Sequence, residues 1–453
     1  MKRFLILIGL ISNILLAQHS IKGVFTPPED YRVAVLYKVT PTISEYITHA
    51  EVDKKGNFEI ALDSTVTKGM YRIVYAIPEE DYNFDIIYNK KEDISLTFNS
   101  ETGLKILSSS ENKLMSSYTN SMSMITHSIN NYYRDKSEDT LALVSIFKTQ
   151  REAQKGFEDL AKNTIALAFI KANKPYIPKH YEDVETYSKN VKTHYFDHVN
   201  FTNKTLQSSN FLNERMVNYV FGVVTDSINR EANYKENINV FCEAMKEAPI
   251  QIKRTLLVDL WEQMRDLNYE KTANYISDTY LINIAKKLND TALVDGLSLY
   301  RNISIGKVAP DFSFDVEKDG VKRSKKLSEL TGVKNYILVF WNSTCAHCLD
   351  EIPQLEAFIK GKKKEDITVI AIGLEDSPEY WNRVVKRLPN FIHVYGAGYW
   401  DNEIGNSYGV TATPSYFVLD KDKHIVAKPD DIDVLKLYFE SLKNKGKNKA
   451  SQK

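Results

Sequence analysis

The sequence predicts a multidomain chain: an N-terminal antiparallel β-sandwich, a mostly α-helical middle and a C-terminal α/β region. Three observations carry this reading. Short alternating apolar runs split by turns occupy residues 18–108. Apolar residues at three- and four-residue spacing occupy 109–302. Continuous apolar strands then alternate with helical patterns over 303–442, as in βαβ units. A chain of 453 residues accommodates about two or three domains of ordinary size.

The chain opens with Lys2-Arg3, an almost unbroken apolar run from Phe4 to Leu16, then Ala17 before Gln18-His19-Ser20. A basic start, a short apolar stretch and a small residue predict a secretory signal peptide over 1–17, cut after Ala17. The run is too short for a membrane anchor, which needs ~20 apolar residues. No cysteine near the cut supports a lipid anchor. Within 18–108, Tyr31–Tyr37 alternates, and Asn57–Leu62 follows the turn Asp53-Lys54-Lys55-Gly56. Met70–Tyr75, Phe84–Tyr88 and Ile94–Phe98 are further strand candidates. This spacing suggests a small sandwich with no catalytic constellation in it.

Helical spacing begins near Glu111, as in Thr255–Trp261 and Tyr280–Leu288, with a break at Pro175 and Pro178. The Met, Tyr and Phe stripes of this region read as core. Cys242, beside Phe241, reads as a buried thiol without a catalytic role. Composition narrows the function. Lys+Arg and Asp+Glu both total 59, so no global field recruits nucleic acid or anionic lipid. Three cysteines are too few for a fold stapled by disulfides. The lysine-rich end, 443–453, reads as a disordered basic tail.

The chemistry sits at Cys345-Ala346-His347-Cys348, between the apolar strand Tyr336–Phe340 and a helical pattern. Ile367–Ile372 is a second buried strand, Pro378–Leu388 a second helix, and Tyr416–Leu419 with His424–Val426 a terminal hairpin. Cysteines three apart at a helix start lie on one turn, within the ~4.4–6.8 Å Cα separation of a disulfide. Free N–H groups and the positive dipole end favour the thiolate at the first position. Cys345 is therefore the nucleophile, and Cys348, one turn on, resolves the mixed disulfide. A zinc site would need further ligands, and the domain has no second Cys pair or His pair. A purely structural bridge would close too short a loop to constrain the chain.

Residues 305–442 resemble the thioredoxin superfamily, in particular the exported TlpA/ResA-like thiol–disulfide oxidoreductases. The resemblance rests on Gly306–Phe312, on Phe340-Trp341-Asn342-Ser343-Thr344-Cys345-Ala346-His347-Cys348, and on Thr413-Pro414. It implies a C-terminal α/β thioredoxin fold and a cis peptide before Pro414. It further implies that Trp341, Thr413 and Pro414 meet the substrate polypeptide. Glu351, one turn after Cys348, is implied to move the proton of the buried thiol; the alternative is an exposed helix carboxylate. Pro353 is expected to kink that helix. The motif departs from thioredoxin at Thr344, where a second Trp stands in that protein, and at His347, which replaces proline. A positive His347 would stabilise the Cys345 thiolate and raise the potential above thioredoxin's ~−270 mV. A peroxiredoxin shares Ala309-Pro310-Asp311-Phe312, but position 342 is Asn and no Pro lies between Pro310 and Cys345.

Residues 20–100 resemble, through Ile21-Lys22-Gly23, Asp53–Phe58 and Gly69-Met70-Tyr71, a β-rich domain that precedes thioredoxin domains in Bacteroidetes-type exported proteins. The expected protein is a periplasmic thiol–disulfide oxidoreductase acting on protein thiols and disulfides. It needs no metal or organic cofactor beyond a redox-active Cys345–Cys348 disulfide, and it is recharged by a membrane or periplasmic redox donor. The alternative is a redox-silent binding or assembly module.

Overall fold

The computed structural model describes residues 19–223, 228–318 and 321–450. The expected signal peptide, 1–17, lies outside them. The chain divides into two compact units, one up to Leu267 and one from Asn268. Among the described residues, no helix is long and apolar enough to cross a membrane.

The first unit begins with β1 (His19–Thr26), β2 (Val33–Val39), β3 (Ser44–Glu51), β4 (Asn57–Leu62), β5 (Gly69–Val74), β6 (Asn83–Tyr88), β7 (Ile94–Asn99) and β8 (Gly103–Ile106). They form two four-stranded sheets, ordered β4-β1-β7-β8 and β3-β2-β5-β6. Ile21, Phe25, Leu36, Ile60, Ile73 and Leu96 meet in one core between them. Every described pairing in these sheets is antiparallel except β1 with β7, which is parallel. In the turn before β4, Asp53 Oδ1 accepts from the amides of Lys55 and Asn57 at 2.7 and 2.9 Å. Gly56 completes it at φ 84°, where a Cβ would lie 2.1 Å from the Phe25 carbonyl oxygen. Only glycine fits there.

Helices follow from Ser110, and residues 173–183 around Pro175 and Pro178 are free of helix. Cys242 is half-buried, not buried as expected, because its neighbour Phe241 takes the inward position at 0% exposure. The helical region does not stay whole. Helices Glu270–Ile276, Ile282–Lys287 and Thr291–Asn302 belong to the second unit. Glu270 accepts from the Ile305 amide at 2.6 Å and pairs with Lys428, and Asn274 donates to Ser304 at 2.7 Å. Leu299 packs against the C-terminal core.

That core surrounds a five-stranded sheet. Its strands are β11 (Asn335–Trp341), β12 (Ile367–Glu375), β13 (Phe391–Ala397), β14 (Ser415–Asp420) and β15 (Ile425–Ala427), ordered β13-β12-β11-β14-β15. A separate hairpin, β9 (Ser313–Lys318) and β10 (Val321–Lys326), precedes them. β11 runs parallel to β12 and antiparallel to β14. Being central, β11 is covered on both faces, which is why its sequence is a continuous apolar run. Tyr336, Leu338 and Phe340 enter one core, and Ile337, Val339 and Trp341 the other. Helix α1 (Ala346–Ile359) follows β11 and continues through Pro353. Helix α2 (Pro378–Val384) follows β12, and helix α3 (Ile432–Ala450) ends the described chain. The backbone over 443–450 is thus helical where a disordered tail is expected; Lys and Ala are good helix formers and extend an established helix.

Phe340 is fully buried, with its ring 5.1 Å from Tyr408 and 5.9 Å from Phe417. Phe340→Ala is expected to cost the second unit ~3–5 kcal/mol, read as a shift of its transition in denaturant unfolding.

Candidate active site

β11 delivers the chain to a tight turn, Asn342-Ser343-Thr344, and Cys345 follows as the N-cap of α1. The turn is held residue by residue. Asn342 Oδ1 accepts from the Thr344 amide at 2.8 Å and its hydroxyl at 2.6 Å, and Asn342 O accepts from the Cys345 amide at 3.2 Å. Asn342 Nδ2 donates to Leu374 O at 2.6 Å. Ser343 donates from its amide to Glu375 Oε1 at 2.7 Å and from its hydroxyl to Oε2 at 2.8 Å.

Cys345 Sγ does the work of a capping oxygen, accepting from the Cys348 amide at 3.5 Å. The half-buried thiol also donates to Thr413 O at 3.3 Å. The Thr413–Pro414 peptide is cis, as the resemblance implies, and its carbonyl faces the nucleophile. Burial opposes ionisation of Cys345. The amide and thiol of Cys348, the Thr413 contact and the His347 amide outweigh it, so its pKa falls below the ordinary value. Cys348 is fully buried, and desolvation pushes its thiol up to about 12. The structure holds both as thiols. The two thiols are thus unequal: Cys345 ionises more readily than Cys348.

Glu351 is half-buried, not the exposed helix carboxylate of the alternative. Its Oε2 accepts from Tyr416 Oη at 3.0 Å and from the Ile432 amide, which opens α3, at 2.9 Å. Tyr416 lies in the same core as Cys348. Burial first, then the neighbouring Glu351 and Cys348, keep the Tyr416 hydroxyl protonated. Tyr416 therefore links the carboxylate to the surroundings of the resolving thiol.

One expected site residue sits elsewhere. Trp341 does not face a substrate groove. It is fully buried beside Cys348 and Ile352, because β11 is a central strand covered on both faces up to its last residue. The His347 side chain is exposed, and its backbone amide helps to lower the Cys345 pKa. Among the described residues, no group of three His, Cys, Asp or Glu side chains is placed to hold a metal ion. Sequence reasoning missed Glu375 and Tyr416. Both reach the site across long chain separations, and their only local signal is a polar atom at the end or start of an apolar strand.

A sheet whose central strand runs into a helix capped by Cys-x-x-Cys, with the carbonyl before a cis proline on the thiol, defines a thioredoxin-like oxidoreductase domain. The Redoxin family matches residues 304–433. ResA thiol-disulfide oxidoreductase of Bacillus anthracis is 29% identical over 143 residues, which cover 29% of this chain and 76% of that protein. ResA of Geobacillus thermodenitrificans is 25% identical over 159 residues, 33% of this chain and 87% of its own. The solved thioredoxin domain of a thiol-disulfide oxidoreductase from Bacteroides vulgatus is 24% identical, covering 31% of this chain and 97% of that one, with a TM-score of 0.27. The C-terminal part of the chain is a ResA-like thioredoxin-fold domain.

In the reduced protein, iodoacetamide is expected to label Cys345 across the neutral pH range while Cys348 stays unmodified. Mass mapping of the labelled peptides against pH checks this order.

Proposed function

We propose that the protein exchanges disulfides with protein substrates in the periplasm, after export, through Cys345-Ala346-His347-Cys348. The observation that carries this reading is the pair of unequal thiols at the start of α1, facing the cis-Pro414 loop. The Cys345 thiolate attacks one sulfur of a client disulfide; the Cys345–client bond forms and the other client sulfur leaves as a thiolate. Cys348 then gives up its proton, which Glu351 accepts with Tyr416 holding the carboxylate in place. The Cys348 thiolate attacks Cys345 Sγ, the Cys345–Cys348 disulfide forms, and the second client sulfur departs. The client gains the two electrons that the pair loses. Run backwards, the same steps oxidise a client.

The extended client segment pairs with the Thr413 backbone beside the nucleophile. Pro414 cannot donate a hydrogen bond, so it leaves that edge open. Trp341 supports the site from inside. His347, at the mouth, stabilises the reduced thiolate when positively charged. The cycling group is the disulfide itself, with no further cofactor, and a membrane or periplasmic donor restores the pair.

Cys345→Ser is expected to abolish reduction of insulin disulfides, and Cys348→Ser to trap the client as a mixed disulfide visible on a non-reducing gel. Activity surviving in Cys345→Ser would remove Cys345 as the nucleophile, and a pair that never cycles would leave only a binding module. Glu351→Gln is expected to slow resolution of the mixed disulfide by roughly 10²-fold while leaving the first attack nearly unchanged. His347→Pro is expected to lower the reduction potential, read by equilibration against glutathione and thiol trapping; an unchanged potential removes His347 from the tuning.

A further inference from the structure

Glu375 ends β12 with only 3% of its surface exposed. Burying a carboxylate is costly unless it is paired or richly hydrogen-bonded. Among the described residues, no lysine, arginine or histidine forms an ion pair with it. Its partners are neutral and belong to one turn. They are the Ser343 amide at 2.7 Å, the Ser343 hydroxyl at 2.8 Å and, at 3.5 Å, Asn342 Nδ2. The groups around it are unfavourable to charge. Burial raises its pKa, Ser343 lowers it, and Asp376 beyond the strand end raises it further. Tyr395 on β13 and Glu379 on α2 face the same corner. The carboxylate is kept there for what it holds.

What it holds is the approach to the nucleophile. Ser343 lies two residues before Cys345, and its side chain is 0% exposed. Directly after this turn, Cys345 Sγ meets the Cys348 amide and the Thr413 carbonyl. The adjoining backbone is fastened at the same corner, since Glu375 O accepts from the Gly398 amide at 3.2 Å. We propose that Glu375 is a positioning residue for thiol exchange, its carboxylate locking the Asn342–Thr344 turn so that Cys345 Sγ stays among the donors at the start of α1. This deepens the exchange reading above and rests on it.

The proposal separates the hydrogen bonds of Glu375 from its charge. Glutamine can keep the lock: its amide oxygen takes the Ser343 N–H, and its NH2 donates to the Ser343 hydroxyl oxygen. Alanine cannot. With the turn released, Cys345 loses the donors that favour its thiolate, and its reactivity moves toward that of an ordinary thiol.

The test is the pH profile of iodoacetamide alkylation at Cys345 in the reduced full-length protein, quantified on the Cys345 peptide, with a thermal melt beside it. It needs no client, so an absence of insulin reductase activity leaves its readout intact and is a separate failure. The Glu375→Ala midpoint is expected to move up by about one pH unit, a roughly tenfold loss of thiolate near neutrality. Glu375→Gln is expected to stay near the wild-type profile. Should Glu375→Ala not fold, Ser343→Ala removes one of the two principal bonds and is expected to shift the midpoint the same way by less. A lowered melting temperature with an unmoved profile would overturn the proposal, leaving Glu375 a structural strut. A Glu375→Gln midpoint shifted to lower pH would also overturn it, since charge rather than position would then be acting on the thiol.

Discussion

A sulfur atom acting as a helix cap is the interaction on which the second unit turns. Cys345 Sγ occupies the place where Ser, Thr or Asp ordinarily accepts a backbone N–H. An anion is favoured there, because the amides at the head of α1 have no intrahelical partner. A thiolate satisfies them better than a thiol does. The same contact that starts the helix therefore prepares the nucleophile. Keeping the sulfur at that point requires a rigid approach and a rigid opposite wall. β11 supplies the first, buried on both faces up to Trp341. The cis-Pro414 loop supplies the second through the Thr413 carbonyl.

Much of this geometry is written locally. The apolar run Tyr336–Phe340 is matched by β11 at Asn335–Trp341, and Ile367–Ile372 by the start of β12. The Asp53–Gly56 turn and the strand after it appear where the turn chemistry places them. These features depend on neighbours in sequence, so propensity and periodicity reveal them. β1, β3, β8, β9, β10 and β13 are not singled out by the sequence pattern. β13 carries His393 and Gly396 within seven residues and owes its place to pairing with β12, not to its own pattern.

The site divides along the same line. The cysteines and Pro414 are readable because motif and spacing carry them. Glu375 bonds to Ser343 across 32 positions, and Tyr416 to Glu351 across 65. No window along the chain joins such pairs. Trp341 fails in the opposite direction. It stands beside the motif in sequence, but it ends a central strand covered on both faces, so nearness to the cysteines does not mean access to a substrate. The helical region divides at Leu267 for a similar reason. Glu270, Asn274 and Leu299 find partners near Ser304, Lys428 and the C-terminal core, which helical periodicity alone cannot specify.

The unequal pair of thiols has a physical logic of its own. A resolving cysteine that ionised readily would compete as a nucleophile and would repel a thiolate on Cys345. Burying Cys348 removes that competition, and the same desolvation leaves it inert unless its proton can be taken away. A carboxylate that took it would have to be held in place, since an unanchored charge turns toward water. In this fold Glu351 is fixed on one oxygen by Tyr416 from the strand after cis-Pro414 and by the first amide of α3. The cis-Pro414 loop and the tyrosine that holds Glu351 thus share one stretch of chain. The Thr413 carbonyl before Pro414 meets Cys345 Sγ, and Tyr416, two residues past that proline, holds Glu351 and packs in the core of Cys348, so the surroundings of both thiols are set by the same stretch of chain.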